Sequence, residues 1–142
     1  MPIGVPVDHD SEKSPNLAVI AVGSNIDPEP NIRRAIQEMA GFLTLLAVSD
    51  FMTTRPVGNT DQPDFRNGAV LAETALGKAE LEEKLHAVEA KLGRIRQQDR
   101  YGPRTMDLDV VWWNGRVCHP DAETRDFVKT AMNQVLDRFG VQ

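Results

Sequence analysis

The chain has 142 residues, a hydrophobic content of 41% and a formal charge of −5. That length suits one domain, and that apolar fraction supports a packed core rather than global disorder. An acidic balance opposes general affinity for nucleic acid, whose phosphates need a basic face, and the single cysteine, Cys118, excludes an intrachain disulfide.

Residues 1–15 read MPIGVPVDHDSEKSP, with three prolines and scattered charge. They lack the unbroken apolar stretch of a signal peptide, and no run in the chain reaches membrane-span length. The expectation is a flexible N-terminal extension on a cytoplasmic protein, followed by one domain over 16–142, with no membrane and no nucleic-acid partner. Leu17 to Val22 (LAVIAV) is a short apolar run before the turn Gly23-Ser24-Asn25, and reads as a strand buried on both faces. Pro28 and Pro30 then precede Ile32, Ala35, Ile36 and Met39 at helical spacing, which predicts a helix from about Glu29 to Leu43. Leu45 to Thr54 is apolar and β-branched and predicts a second strand. Arg55 to Asp64 is a proline- and glycine-bearing loop. Asn67 to Thr74 predicts a third strand. Lys78 to Leu92, with Leu81, Leu85, Val88 and Leu92 on one stripe, predicts a second helix. Gly93 to Pro103 is a polar, arginine-rich loop, Thr105 to Trp113 a fourth strand, and Val128 to Phe139 a short terminal helix. The order predicts an α+β, ferredoxin-like βαββαβ sandwich: a four-stranded antiparallel sheet with helices on one face, plus the short C-terminal helix.

The chemistry gathers at the fourth strand. Asp107 and Asp109 alternate with Met106, Leu108 and Val110, so both carboxylates point to one face. Side by side they repel, and a hard divalent cation removes that penalty; magnesium takes one or two carboxylates plus substrate phosphates and water. An isolated D-x-D reads more readily as an ordinary polar face. The preceding loop adds Arg94, Arg96, Arg100 and Arg104 within eleven residues, and the guanidinium fork matches phosphate oxygens. A solvated charge run is the alternative reading of those arginines. Other nucleotide and metal motifs are missing: there is no G-x-x-x-x-G-K-[ST] loop, no G-x-G-x-x-G, and no Cys/His cluster at zinc spacing.

The stretch Arg100-Tyr101-Gly102-Pro103-Arg104-Thr105-Met106-Asp107-Leu108-Asp109-Val110-Val111 resembles the signature of the 6-hydroxymethyl-7,8-dihydropterin pyrophosphokinases. Ala21-Val22-Gly23-Ser24-Asn25 resembles that family's opening strand and turn. Thr54-Arg55-Pro56-Val57-Gly58, with Asp61-Gln62-Pro63-Asp64-Phe65-Arg66-Asn67, resembles its pterin loop, and Gly93-Arg94-Ile95-Arg96 the start of its mobile catalytic loop. The resemblance implies transfer of pyrophosphate from ATP to a dihydropterin, in folate biosynthesis, with two magnesium ions held by Asp107 and Asp109. It implies catalytic roles for Arg94 and Arg104 beside those aspartates. Glu89, Arg96, Arg100, His119 and Arg125 take positions that contact ATP, with His86 a substitution near the adenosine. Thr54, Pro56, Val57, Phe65, Asn67, Tyr101 and Phe127 take positions around the pterin. After Val128 the family's P-L-x-E-I-A-P stretch is missing, which leads us to expect a shortened C-terminal region. Two rival readings stand beside this one: a shortened paralogue that binds pterin or nucleotide with little turnover, and an RNA-binding module, which the missing aromatic sheet motif and the acidic pI oppose.

Overall fold

The computed structural model describes residues 15–56, 58, 60–93 and 105–141. In chain order it has β1 (Asn16–Ser24), α1 (Pro28–Ala40), β2 (Thr44–Val48), β3 (Met52–Thr54), β4 (Phe65–Thr74), α2 (Lys78–Lys91), β5 (Asp107–Trp113), β6 (Arg116–Val117), α3 (Asp121–Thr124) and α4 (Asp126–Phe139). The predicted helices and strands are present, with ends shifted by a few residues.

Local chemistry sets most of these boundaries. Two prolines fit the first turn of α1, where backbone N–H groups lack helical partners anyway. The N–H of Gly77, just before α2, donates to Glu80 Oε1 at 3.2 Å, which anchors that helix start. Gly140 ends α4 in the left-handed region at φ 82°, and Val141 N–H donates back to Leu136 O at 2.9 Å. That six-to-one bond is a Schellman closure, and glycine suits its left-handed residue because it has no Cβ to clash.

The sheet is antiparallel and runs β2-β4-β1-β5-β6, with β3 also paired to β4. Two expectations need correction. The four-stranded sheet is six-stranded among the described residues. The strand expected over Leu45–Thr54 is two strands, interrupted where the Ser49 hydroxyl donates to Asp50 O and accepts the N–H of Ala69; these side-chain bonds replace ladder bonds. The first two helices share one face as expected, and the C-terminal helix covers the other. Ile32, Met39, Leu81 and Leu85 of α1 and α2 bury Ile20, Val70 and Leu108 on one side. Val128, Met132, Val135 and Leu136 of α4 bury Val19, Leu71 and Val111 on the other.

That second packing uses an irregularity in β5. Ile20 pairs with Val110 and Val19 with Trp112, so Val111 is an extra, bulged residue. Val111 and Trp112 consequently both join the core beneath α4. At the opposite edge, Gln134 and Arg138 of α4 bond Asp50, at 3.0 and 3.1 Å, and pin the helix to the β2–β3 break. The Arg138 hydrogen bond, followed by that from Gln134, holds the Asp50 carboxyl below its usual range. Among the described residues no helix is long and apolar enough to cross a membrane.

Candidate functional site

The core beneath α4 stops at Ala69, with Ala21 packed at its margin. Beyond it, the same sheet face carries the polar residues singled out in the sequence. Asn67 of β4 pairs with Gly23 of β1, and Gly23 pairs with Asp107 of β5. One register step inward, Ala69 pairs with Ala21 and Ala21 with Asp109. Paired residues of neighbouring strands share a face. The result is a shallow floor of glycine and alanine, with an amide on one flank and two carboxylates on the other.

Gly23 is required by that floor. A Cβ there would come within 2.7 Å of Asn67 Oδ1. The Asn67 amide nitrogen donates to Thr54 Oγ1, which ties β4 to β3 and fixes the amide's direction. Thr54 pairs with Phe65, two residues before Asn67 on the same face, and Phe65 is half-buried. Pro56 is buried at the start of the following loop. The far end of that loop is held by Asn25, whose amide nitrogen donates to Gln62 Oε1 at 2.8 Å and to Pro63 O at 2.9 Å. Asn25 is itself buried, so these bonds replace the water it has lost.

The carboxylate flank is electrostatically loaded. Burial first, then the charge of Asp107, pushes the Asp109 carboxyl up to about 8. Glu89 and Asp121 add further negative charge, and a hydrogen bond links the Asp109 and Asp107 side chains. A pair in that state holds a proton where a cation would relieve both burial and repulsion. Among the described residues no set of three His, Cys, Asp or Glu side chains converges as metal ligands, so the two aspartates form the described donor set.

Asp121 also organises the neighbouring segment. Its backbone N–H donates to His119 Nδ1 at 3.1 Å, which leaves Nε2 as the protonated nitrogen of the neutral ring. Its carboxylate meets Arg125 Nε at 3.3 Å. His119 and Arg125 are thus joined through one residue that the sequence reading passed over, although an aspartate two residues after the histidine and four before the arginine was a legible signal. Gly23 and Asn25 were read only as a turn. Phe127, at the start of α4, packs half-buried against the core beneath that helix.

Glu89 occupies an unexpected place. It is 2% exposed, and its Oε2 accepts the backbone N–H of Leu108 at 2.8 Å. It sits behind β5 and not on an open surface. His86, one turn earlier on α2, is exposed. Val57, Arg94, Arg96, Arg100, Tyr101 and Arg104 lie outside the described residues, as does nearly all of the expected N-terminal extension.

Comparison with known proteins gives a consistent family. The family model for 7,8-dihydro-6-hydroxymethylpterin-pyrophosphokinase matches residues 19–137, and so runs past Gly115 and through most of α4. A Bacillus subtilis 2-amino-4-hydroxy-6-hydroxymethyldihydropteridine pyrophosphokinase is 38% identical over 134 residues, covering 87% of this chain and 80% of that protein. Proteins of the same name from Synechocystis and Haemophilus influenzae are 34% and 32% identical, over 83% and 78% of this chain. The aligned part spans 65% of the Synechocystis protein and 76% of the Haemophilus one. With both the β4–β1–β5 floor and α4 inside the matched span, this chain belongs to the 7,8-dihydro-6-hydroxymethylpterin-pyrophosphokinase family.

Proposed function

We propose that this chain transfers pyrophosphate from ATP to 6-hydroxymethyl-7,8-dihydropterin, yielding the pterin diphosphate and AMP, a step of folate biosynthesis. The observation that carries the reading is the single row Asn67–Gly23–Asp107, with Asp109 one step behind. It sets a heterocycle-binding amide and a cation-binding pair on one floor, as a reaction between a pterin and a polyphosphate requires.

The donor chemistry fits magnesium: two carboxylates, one pushed up by burial and by its neighbour, favour a hard cation over an ionised empty pair. Asp107 and Asp109 would hold the metal, with two ions expected from the resemblance. Bound there, magnesium supplies charge neutralisation for the transferring group. The protein's own residues do the rest. Asn67 orients the pterin through an amide already directed by Thr54, and Phe65 offers the aromatic face. His119 and Arg125, both bonded to Asp121, would contact ATP on the strength of the family positions they match. Arg94 and Arg104 complete the phosphate-binding set on the strength of the signature they belong to, with Arg96 and Arg100 assisting, and Val57 and Tyr101 line the pterin. Positioning and charge neutralisation carry most of phosphoryl transfer, and no side chain is assigned to receive the hydroxyl proton. The strand order β2-β4-β1-β5 supports the split βαβ reading if β2 and β3 are counted as one bent strand.

The test is direct. Incubation with ATP, magnesium and 6-hydroxymethyl-7,8-dihydropterin should release AMP and form the pterin diphosphate in equal amounts. Binding of both ligands with no AMP would identify a non-catalytic paralogue instead.

A further inference from the structure

The buried carboxylate behind β5 has a different task from the ATP contact that the family position implies. Among the described residues β6 pairs only with Trp112 and Trp113 of β5, and no described strand lies beside the outer edge where β5 carries the two aspartates. On the inner side Asp107, Leu108 and Asp109 pair with Gly23, Val22 and Ala21. On the outer side the Leu108 N–H donates to Glu89 Oε2 at 2.8 Å, inside the protein. A buried peptide N–H without an acceptor is costly, and Glu89 supplies the acceptor that a further strand would have supplied. Leu81, Leu85 and Val88 fix α2 against the sheet, so the carboxylate arrives on a rigid element.

We infer that Glu89 is a positioning residue: it holds the backbone between Asp107 and Asp109, and thereby sets the spacing and direction of the two metal-binding carboxylates. This inference rests on the pyrophosphokinase reading of those aspartates. A strand edge left loose at Leu108 would move both side chains, since they flank that peptide on either side. The charge of Glu89 acts in the same direction. It adds negative potential behind the pair and favours a cation in front of it. An adenosine contact, by contrast, would require the carboxylate at the surface, and it is almost fully covered.

Amide hydrogen exchange tests the bond without any activity measurement. In the metal-free wild-type protein the Leu108 amide should be protected as strongly as amides within the β1–β5 ladder. Free exchange at Leu108 would overturn the inference without any variant being made. In Glu89→Ala, Leu108 should lose roughly tenfold or more in protection. In Glu89→Gln, whose amide oxygen still accepts, most protection should return. The kinetic counterpart separates positioning from ATP contact. Glu89→Ala should raise the magnesium concentration needed for half-maximal rate and lower kcat, with Glu89→Gln between it and the wild type. A rise in KM for ATP alone, with kcat, magnesium dependence and Leu108 protection unchanged, would overturn it. If the wild-type protein makes no AMP, the pyrophosphokinase reading fails, and the exchange experiment still reports on the bond.

Discussion

One face of this sheet is built in two halves, and they obey different rules. Beneath α4 the face is apolar and closed: Val19, Leu71 and Val111 meet Val128, Met132 and Val135. Beyond Ala69 and Ala21 the same strands turn polar and small, with Asn67, Gly23, Asp107 and Asp109. The first half gains stability from burial, at roughly 1.5–3 kcal/mol for each fully buried aliphatic side chain. The second half carries an unfavourable term, since Asp109 is held as an acid by its surroundings. With the proposed cation absent this half is strained, and the helix-covered half supports that strain from the next register step.

The comparison is broken most severely at the aspartates. Asp109→Ala should lower the rate on the order of a thousandfold or more, the scale seen when a preorganised charge-stabilising group is removed, while the thermal midpoint of the metal-free protein does not fall. Steady-state kinetics and calorimetry check the two arms, and wild-type turnover in this variant would remove the metal assignment. On the amide flank, Asn67→Ala should weaken pterin binding by about 1–3 kcal/mol, because ring polar atoms are left buried without a partner. Gly23→Ala should produce a similar loss by displacing Asn67. Titration calorimetry with a non-hydrolysable ATP analogue and magnesium measures both.

A subtler effect follows from the raised Asp109 acid. Between the ordinary carboxylate range and about pH 8 the unfolded chain has released this proton and the folded protein keeps it. The unfolded state then binds fewer protons, so stability falls as pH rises through that window, by at most roughly 1.4 kcal/mol per pH unit. Denaturant melts of the metal-free protein at several pH values should show this decline, and Asp109→Asn should flatten it. The smallest effect belongs to the clip on the closed half. Asp50→Ala removes a solvent-exposed carboxylate bonded to Arg138 and Gln134, so the thermal midpoint should move within about 2 °C and turnover should not change. A large loss of activity there would mean that α4 controls the open half directly.

The sequence was most legible where periodicity and chemistry coincide. The stripe of Leu81, Leu85 and Val88 marked α2, and the alternation of Asp107 and Asp109 with Leu108 put two carboxylates on one face. The pairing of Asn67 with Gly23 and Asp107 was not legible, because register depends on partners far apart in the chain. The break at Ser49 left only a short mark, the polar pair Ser49-Asp50 between two apolar stretches, and the bond that diverts the ladder comes from the distant Ala69 N–H. The terminal helix was recognisable by its spacing, but which sheet face it would cover was not. The bulge at Val111, which turns two consecutive side chains toward that helix, has no signature in composition. Glu89 was read as an ATP contact from its family position, and its burial behind β5 was not legible because only tertiary packing produces it.

The turn joining β5 to β6 places Asn114 and Gly115 both at positive φ, 48° and 96°, as a tight two-residue hairpin demands. Asn114 also clasps the start of β1: its N–H donates to Leu17 O at 2.9 Å, and its Oδ1 accepts the N–H of Leu17 at 2.8 Å. This clasp works as a zero mark from which β5 is measured. Five residues back from it stands Asp109 and seven back stands Asp107. One residue inserted between Asp109 and Asn114, with the clasp kept, would turn both carboxylates through the sheet toward Leu85 and Met39 and bring Leu108 out onto the binding floor. The length of a plain apolar segment, Val110 to Trp113, therefore sets which face the proposed metal-binding carboxylates occupy, although none of its side chains need touch a substrate.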